Sequence, residues 1–92
     1  MKTKIIELAD EYLNDEEYKR GFIFKKWIDR ITQEFSLKEL SDEELSNLWD
    51  EIYETLDKKM DEVSFKESMK YMDARSAFVE VVNIEARKRQ GF

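Results

Sequence analysis

The sequence predicts an all-α fold, a small antiparallel four-helix bundle formed by one domain over residues 1–92. Three observations lead there. Pro is absent and Gly occurs only twice, which argues against a loop-rich or all-β chain. Apolar residues recur at three- and four-residue steps along most of the sequence, the spacing that gathers them on one side of a helix. Ser41/Glu44 and Ser64/Glu67 stand just before such runs, where a hydroxyl and a carboxylate three positions on can satisfy the free amides of a helix start. Hydrophobic and charged residues each make up 41% of the chain, a composition divided into faces rather than one too polar to fold. Six Phe, four Tyr and two Trp supply large core side chains, enough for one core but not for a deep pocket as well.

The first helix is expected over residues 3–13, with Ile5, Leu8, Ala9, Tyr12 and Leu13 on one stripe. Asn14 is placed to cap the second, with Asp15 and Glu16 in its first turn and Glu17 at the capping-box position. That helix should cover residues 15–35, its stripe formed by Phe24, Trp27, Ile28, Ile31 and Phe35. Gly21 interrupts it, and an interior Gly costs about 1 kcal/mol relative to Ala, so a bend or a close contact is expected there. Residues 36–39 offer another Ser-x-x-Glu box and a short turn. After Val63, a last helix should run from residue 65 to about residue 90, with Arg87, Lys88 and Arg89 suiting its C-terminal dipole and Gly91 its terminating position. Residues 77–84 are apolar on nearly every side. With no second strand to pair with, they read as a helix covered on two sides.

The stretch from residue 40 to 63 organises the rest. Leu45, Leu48, Trp49, Ile52, Tyr53, Leu56, Met60 and Val63 form one stripe, and Leu40 and Leu45 can close a hydrophobic staple around the Ser41 cap. Trp27, Trp49, Tyr53, Phe24 and Phe78 all fall on stripes and are expected in the core. The opposite face of the central helix is acidic. The net charge of −6 is unevenly placed: residues 1–30 balance seven acids with seven bases, residues 31–63 carry eleven acids and three bases, and residues 64–92 carry four acids and six bases.

These features exclude more chemistry than they suggest. There is no His and no Cys, so there is no imidazole base, thiol nucleophile, disulfide framework, or His- or thiolate-ligated metal site. Carboxylate pairs such as Asp10/Glu11 and Asp50/Glu54 lie on polar faces, and Asp57 to Glu62 does not match a calcium loop. No enzyme activity, metal or cofactor is expected. Direct nucleic-acid binding needs a broad basic surface that the chain lacks. No apolar run approaches the length of a membrane span, and no signal-peptide core is present. A cytoplasmic location is expected.

The acids have a pattern of their own. Asp50, Glu54, Asp57 and Asp61 follow steps of four, three and four, which stacks them in one exposed column about 5–6 Å apart. This approaches the charge spacing of a nucleic-acid backbone. A solvated helix face would look similar, but such faces usually interleave both signs, and here only Lys58 and Lys59 do so. The column, joined by Glu43 and Glu51, is therefore expected to bind a basic nucleic-acid-binding protein or nuclease. Tyr18, Phe22 and Phe92 fit no stripe and stand as partner anchors or peripheral core. An alternative role is that of a self-associating structural or regulatory protein. Cover for residues 77–84 would then come from a homodimer through the last helix, with Phe78, Val79 and Val82 among the contacts.

The order IIELADEYLNDEEYKRGFIFKKWIDR followed by LSDEELSNLWDEIYETLDKKMD, roughly residues 4–62, resembles the small helical immunity proteins that neutralise colicin-type and contact-dependent tRNase toxins. The likeness is one of pattern: a short apolar helix, an aromatic helix, then a capped acidic helix. It implies a four-helix fold whose acidic helix plugs a basic nuclease cleft. Phage-encoded inhibitors of restriction or CRISPR enzymes rely on the same physics.

Overall fold

Residues 2–15 and 25–91 are described by a computed structural model, and every regular element among them is helical. The order is α1 (Lys2–Leu13), α2 (Lys25–Glu34), a 3₁₀ turn (Leu37–Glu39), α3 (Asp42–Glu62) and α4 (Phe65–Arg89). The expected Asn14/Glu17 box, the bend at Gly21, and Tyr18, Phe22, Phe24 and Phe92 lie wholly or partly outside the described residues. Among the described residues, no helix is long and apolar enough to cross a membrane.

Local chemistry sets most of the helix ends. At the start of α3, Ser41 Oγ accepts from the Glu44 amide at 3.1 Å, and the Glu44 carboxylate accepts from the Ser41 amide at 2.9 Å. The hydrogen bonds from Ser41 hold the Glu44 carboxyl below its ordinary range. At α4, Ser64 Oγ accepts from the Glu67 amide at 3.3 Å, while the Glu67 carboxylate turns to Lys70. The last helix ends as its sequence predicts, with Gly91 at φ 86° just past the Gln90 cap. Ser36 departs from expectation. It caps nothing, because it takes up a left-handed conformation (φ 51°) that closes the end of α2 and turns the chain into the 3₁₀ segment.

Asp15, just past α1, is non-helical and spans from α1 to α2: its carboxylate accepts from Lys26 Nζ at 2.8 Å and from the Trp27 indole N–H at 3.0 Å. With Glu11–Arg30 and Lys4–Glu34, the pairs between α1 and α2 descend along one helix as they ascend the other. The same holds for α3 and α4. Asp42 meets Arg89, Asp57 meets Arg75, and the Met60 carbonyl accepts from Ser68 Oγ.

α4 is the central element, packed against α1, α2, α3 and the 3₁₀ turn. Its buried side chains run from Tyr71 and Ala74 through Ala77, Phe78, Val79, Val81 and Val82. Phe78 is at the middle, with its ring 6.2 Å from Tyr12 and 6.3 Å from Phe35, both edge-on. Tyr12 in turn meets Trp27 at 5.4 Å. The doubly apolar segment thus finds its cover within one chain. Phe78, Val79 and Val82 are 0%, 7% and 3% exposed, and the cover that a second copy was expected to give comes from the surrounding helices. These three residues are core, not a dimer surface.

Tyr71 anchors α1 to α4. Its hydroxyl donates to Asp10 Oδ1 at 2.5 Å, and burial, followed by the bond to Asp10, pushes its pKa up to about 12. A phenol raised in this way stabilises the fold fully below its unfolded value of 10.0 and loses that contribution as pH rises towards 12. Tyr71→Phe should cost about 1.5–3 kcal/mol at neutral pH, the range for a hydrogen bond to a charged group. In denaturant titrations, the gap between the two proteins should close across that alkaline window.

Candidate partner-binding surface

The buried side of α3 comprises Leu45, Leu48, Ile52, Thr55 and Leu56. At about 100° per residue, Glu43, Asp50, Glu54, Asp57 and Asp61 fall near the opposite pole from Ile52. All five are exposed, and Glu51, nearer the flank, is half-buried. From Glu43 to Asp61 the ridge runs about 27 Å along the helix axis.

Two basic residues reach this helix from α4. Arg75 pairs with Asp57 while its guanidinium lies 5.0 Å over the Tyr53 ring, and Tyr53 in turn packs 4.4 Å from Trp49. Arg89 bonds Asp42 at 3.0 Å, the Leu37 carbonyl at 2.8 Å and Glu85 at 3.2 Å. It ties the end of α4 to the start of α3, a larger role than the match to the C-terminal dipole that its place in the basic cluster suggests. Among the described residues, the carboxylates of Glu43, Asp50, Glu51, Glu54 and Asp61 have no ion pair or hydrogen-bond partner. Lys59 does not offset them, because its ammonium sits 5.8 Å over the Tyr71 ring. Lys58 lies in a shallow cleft between α1 and α3 with Lys2, Glu54 and Glu62.

All six predicted site residues therefore lie on one helix. Glu43, Asp50, Glu54 and Asp61 form an unpaired outer line, Asp57 is engaged by Arg75, and Glu51 stands to the side. Such a line can accept hydrogen bonds from several Lys or Arg side chains of a partner at once. The acids weighed for catalysis are otherwise occupied at one pair: Asp10 accepts from Tyr71 and Glu11 from Arg30. Among the described residues, no group of three or more acids is arranged to hold a metal ion.

Trp49 is not the central core residue its stripe suggests. It is half-buried over the seam between α3 and α4, beside Leu45, Val82, Ala86 and Arg89, whereas Trp27 is 3% exposed. The sequence also passed over an exposed apolar stripe on α4. Phe65, Met69 and Met72 follow steps of four and three, and that spacing is itself the signal that they share a face. No protein-family model, characterised protein or solved structure matches this chain.

Proposed function

We propose that this chain is a non-enzymatic inhibitor that binds a nucleic-acid-processing enzyme and blocks it by occupying its basic substrate cleft. The observation that carries the reading is the outer line of α3, where Glu43, Asp50, Glu54 and Asp61 stand exposed with no basic partner among the described residues. Leaving four like charges on one helix face is mildly unfavourable to folding, since like charges a turn apart repel. A partner with matching Lys and Arg would reverse that cost, speed association and select against wrong partners. The target would be a toxin nuclease, a restriction enzyme or a CRISPR enzyme. The inhibitor would meet it in the cytoplasm, with its helices closed as an antiparallel four-helix bundle that holds α3 rigid.

The direct experiment is capture from an extract of the native cell with the immobilised protein, followed by elution with salt. The expected result is a basic, nucleic-acid-processing enzyme whose turnover falls in proportion to added inhibitor. Recovery of a partner with no nucleic-acid substrate, or an enzyme left fully active when bound, would overturn the reading.

A further inference from the structure

The outer face of the α3–α4 pair carries two different ridges side by side. The α3 ridge is acidic at Glu54, Asp57 and Asp61. The α4 ridge is apolar: Phe65 is 82% exposed, Met69 47% and Met72 39%, the large hydrophobic residues most open to solvent among those described. The contacts between the helices set their register. Arg75 meets Asp57 and Ser68 meets the Met60 carbonyl, so the stretch from Phe65 to Met72 lies alongside the C-terminal end of the acidic ridge. By helical phase all three apolar residues sit 120–180° or so from Phe78, the innermost residue of α4. They face outward on the side towards α3. Of the basic residues of this region, Arg75 engages Asp57, Lys58 lines the cleft towards α1 together with Glu54, Lys59 sits over Tyr71 and Lys70 pairs with Glu67.

We infer that this face docks a basic amphipathic helix of the partner, its apolar stripe seated on Phe65, Met69 and Met72 and its Lys or Arg flank on Glu54 and Asp61, on either side of the Asp57 that Arg75 already engages. Charge complementarity selects this occupant. A second copy would bring two acidic ridges together, and an anionic lipid surface would be repelled. Met is the adaptable choice for such a seat, because its unbranched, polarisable chain repacks around different apolar side chains. A helical ligand presents apolar residues at the same three- and four-residue steps that space Phe65, Met69 and Met72. The two ridges divide the work, with the acids setting the encounter rate and the apolar stripe the residence time. The inference rests on the reading of the acidic line as a binding surface, and its test separates the two.

The probes are two synthetic helical peptides of about 18 residues, or five turns, with equal numbers of Lys. One carries a Leu stripe and the other Ala at the same positions. Titration by fluorescence anisotropy should give at least about tenfold tighter binding for the Leu peptide, as burial of one or two large apolar side chains provides. The variant F65S/M69S/M72S should lose that preference but keep its affinity for the Ala peptide and its melting temperature. Met69→Lys, a single exposed change, should lose it as well. No preference in the wild type, or a preference that survives in both variants, overturns the inference and leaves the acidic line standing. Failure of both peptides to bind overturns both. A wild-type dimer in sedimentation that the triple variant abolishes gives the stripe to a second copy instead and overturns the docking inference.

Discussion

Phe78→Ala should cost about 3–5 kcal/mol and remove most of the cooperative thermal transition. Truncating a fully buried aromatic loses its transfer energy and leaves a cavity, and Phe78 is the ring on which Tyr12 and Phe35 converge from α1 and the end of α2. Small domains have about 5–15 kcal/mol of stability in total, so one such loss brings the chain close to unfolding at physiological temperature. Val79→Glu makes the same point through charge. A carboxylate at a position 7% exposed would be taken out of water, which is costly for a charged group. A folded, monomeric Val79→Glu protein, observed by circular dichroism and light scattering, would show that this side of α4 faces outward after all. Trp49→Ala should be milder than Trp27→Ala, because Trp49 keeps part of its surface in water whereas Trp27 is buried and donates its indole N–H to Asp15.

The second large effect belongs to the acidic line. Replacing Asp50, Glu54 and Asp61 by Asn, Gln and Asn should slow association with the captured enzyme by about tenfold or more at low salt, within the range that electrostatic steering supplies. The difference should shrink as salt screens the field. The melting temperature should hold or rise slightly, since like charges are removed and no ion pair is lost. Asp57 is left in place because its contact with Arg75 links α3 to α4, and removing it would mix a structural effect with a binding one. Stopped-flow fluorescence at two salt concentrations provides the rates. An unchanged association rate at low salt would mean that these acids only keep the helix soluble.

The parts of this molecule legible in the sequence are those whose causes are local. The limits of α1, α3 and α4 follow from apolar phase, from Ser41 and Ser64 at the starts and from Gly91 at the end, all within a few residues of the elements they define. The outward line of acids on α3 was legible for the same reason, since phase alone puts Asp50, Glu54, Asp57 and Asp61 opposite Ile52. What could not be read depends on residues far apart in the chain. Arg75 reaches Asp57 across 18 positions and Arg89 reaches Asp42 across 47, so the compensation of two acids was invisible. Trp49 shares the stripe of α3 but lies about 60° from Ile52, over the seam rather than under it, and only the position of α4 decides that. The segment at residues 77–84 needed cover on several sides, and sequence cannot count how many neighbours will supply it. Ser36 had the right spacing for a cap and the wrong backbone, since the preceding helix claimed it as its end.

On the proposed function, the acidic helix takes the place of nucleic acid on its partner. The most direct measurement is the apparent affinity of the chain for the captured enzyme across a titration of that enzyme's nucleic-acid substrate. Occupancy of one shared cleft predicts strict competition, with the apparent dissociation constant rising in proportion to nucleic-acid concentration and no complex containing all three. An affinity that stays constant through the titration, with a ternary complex seen by sedimentation, would place the chain elsewhere on the enzyme and contradict the account.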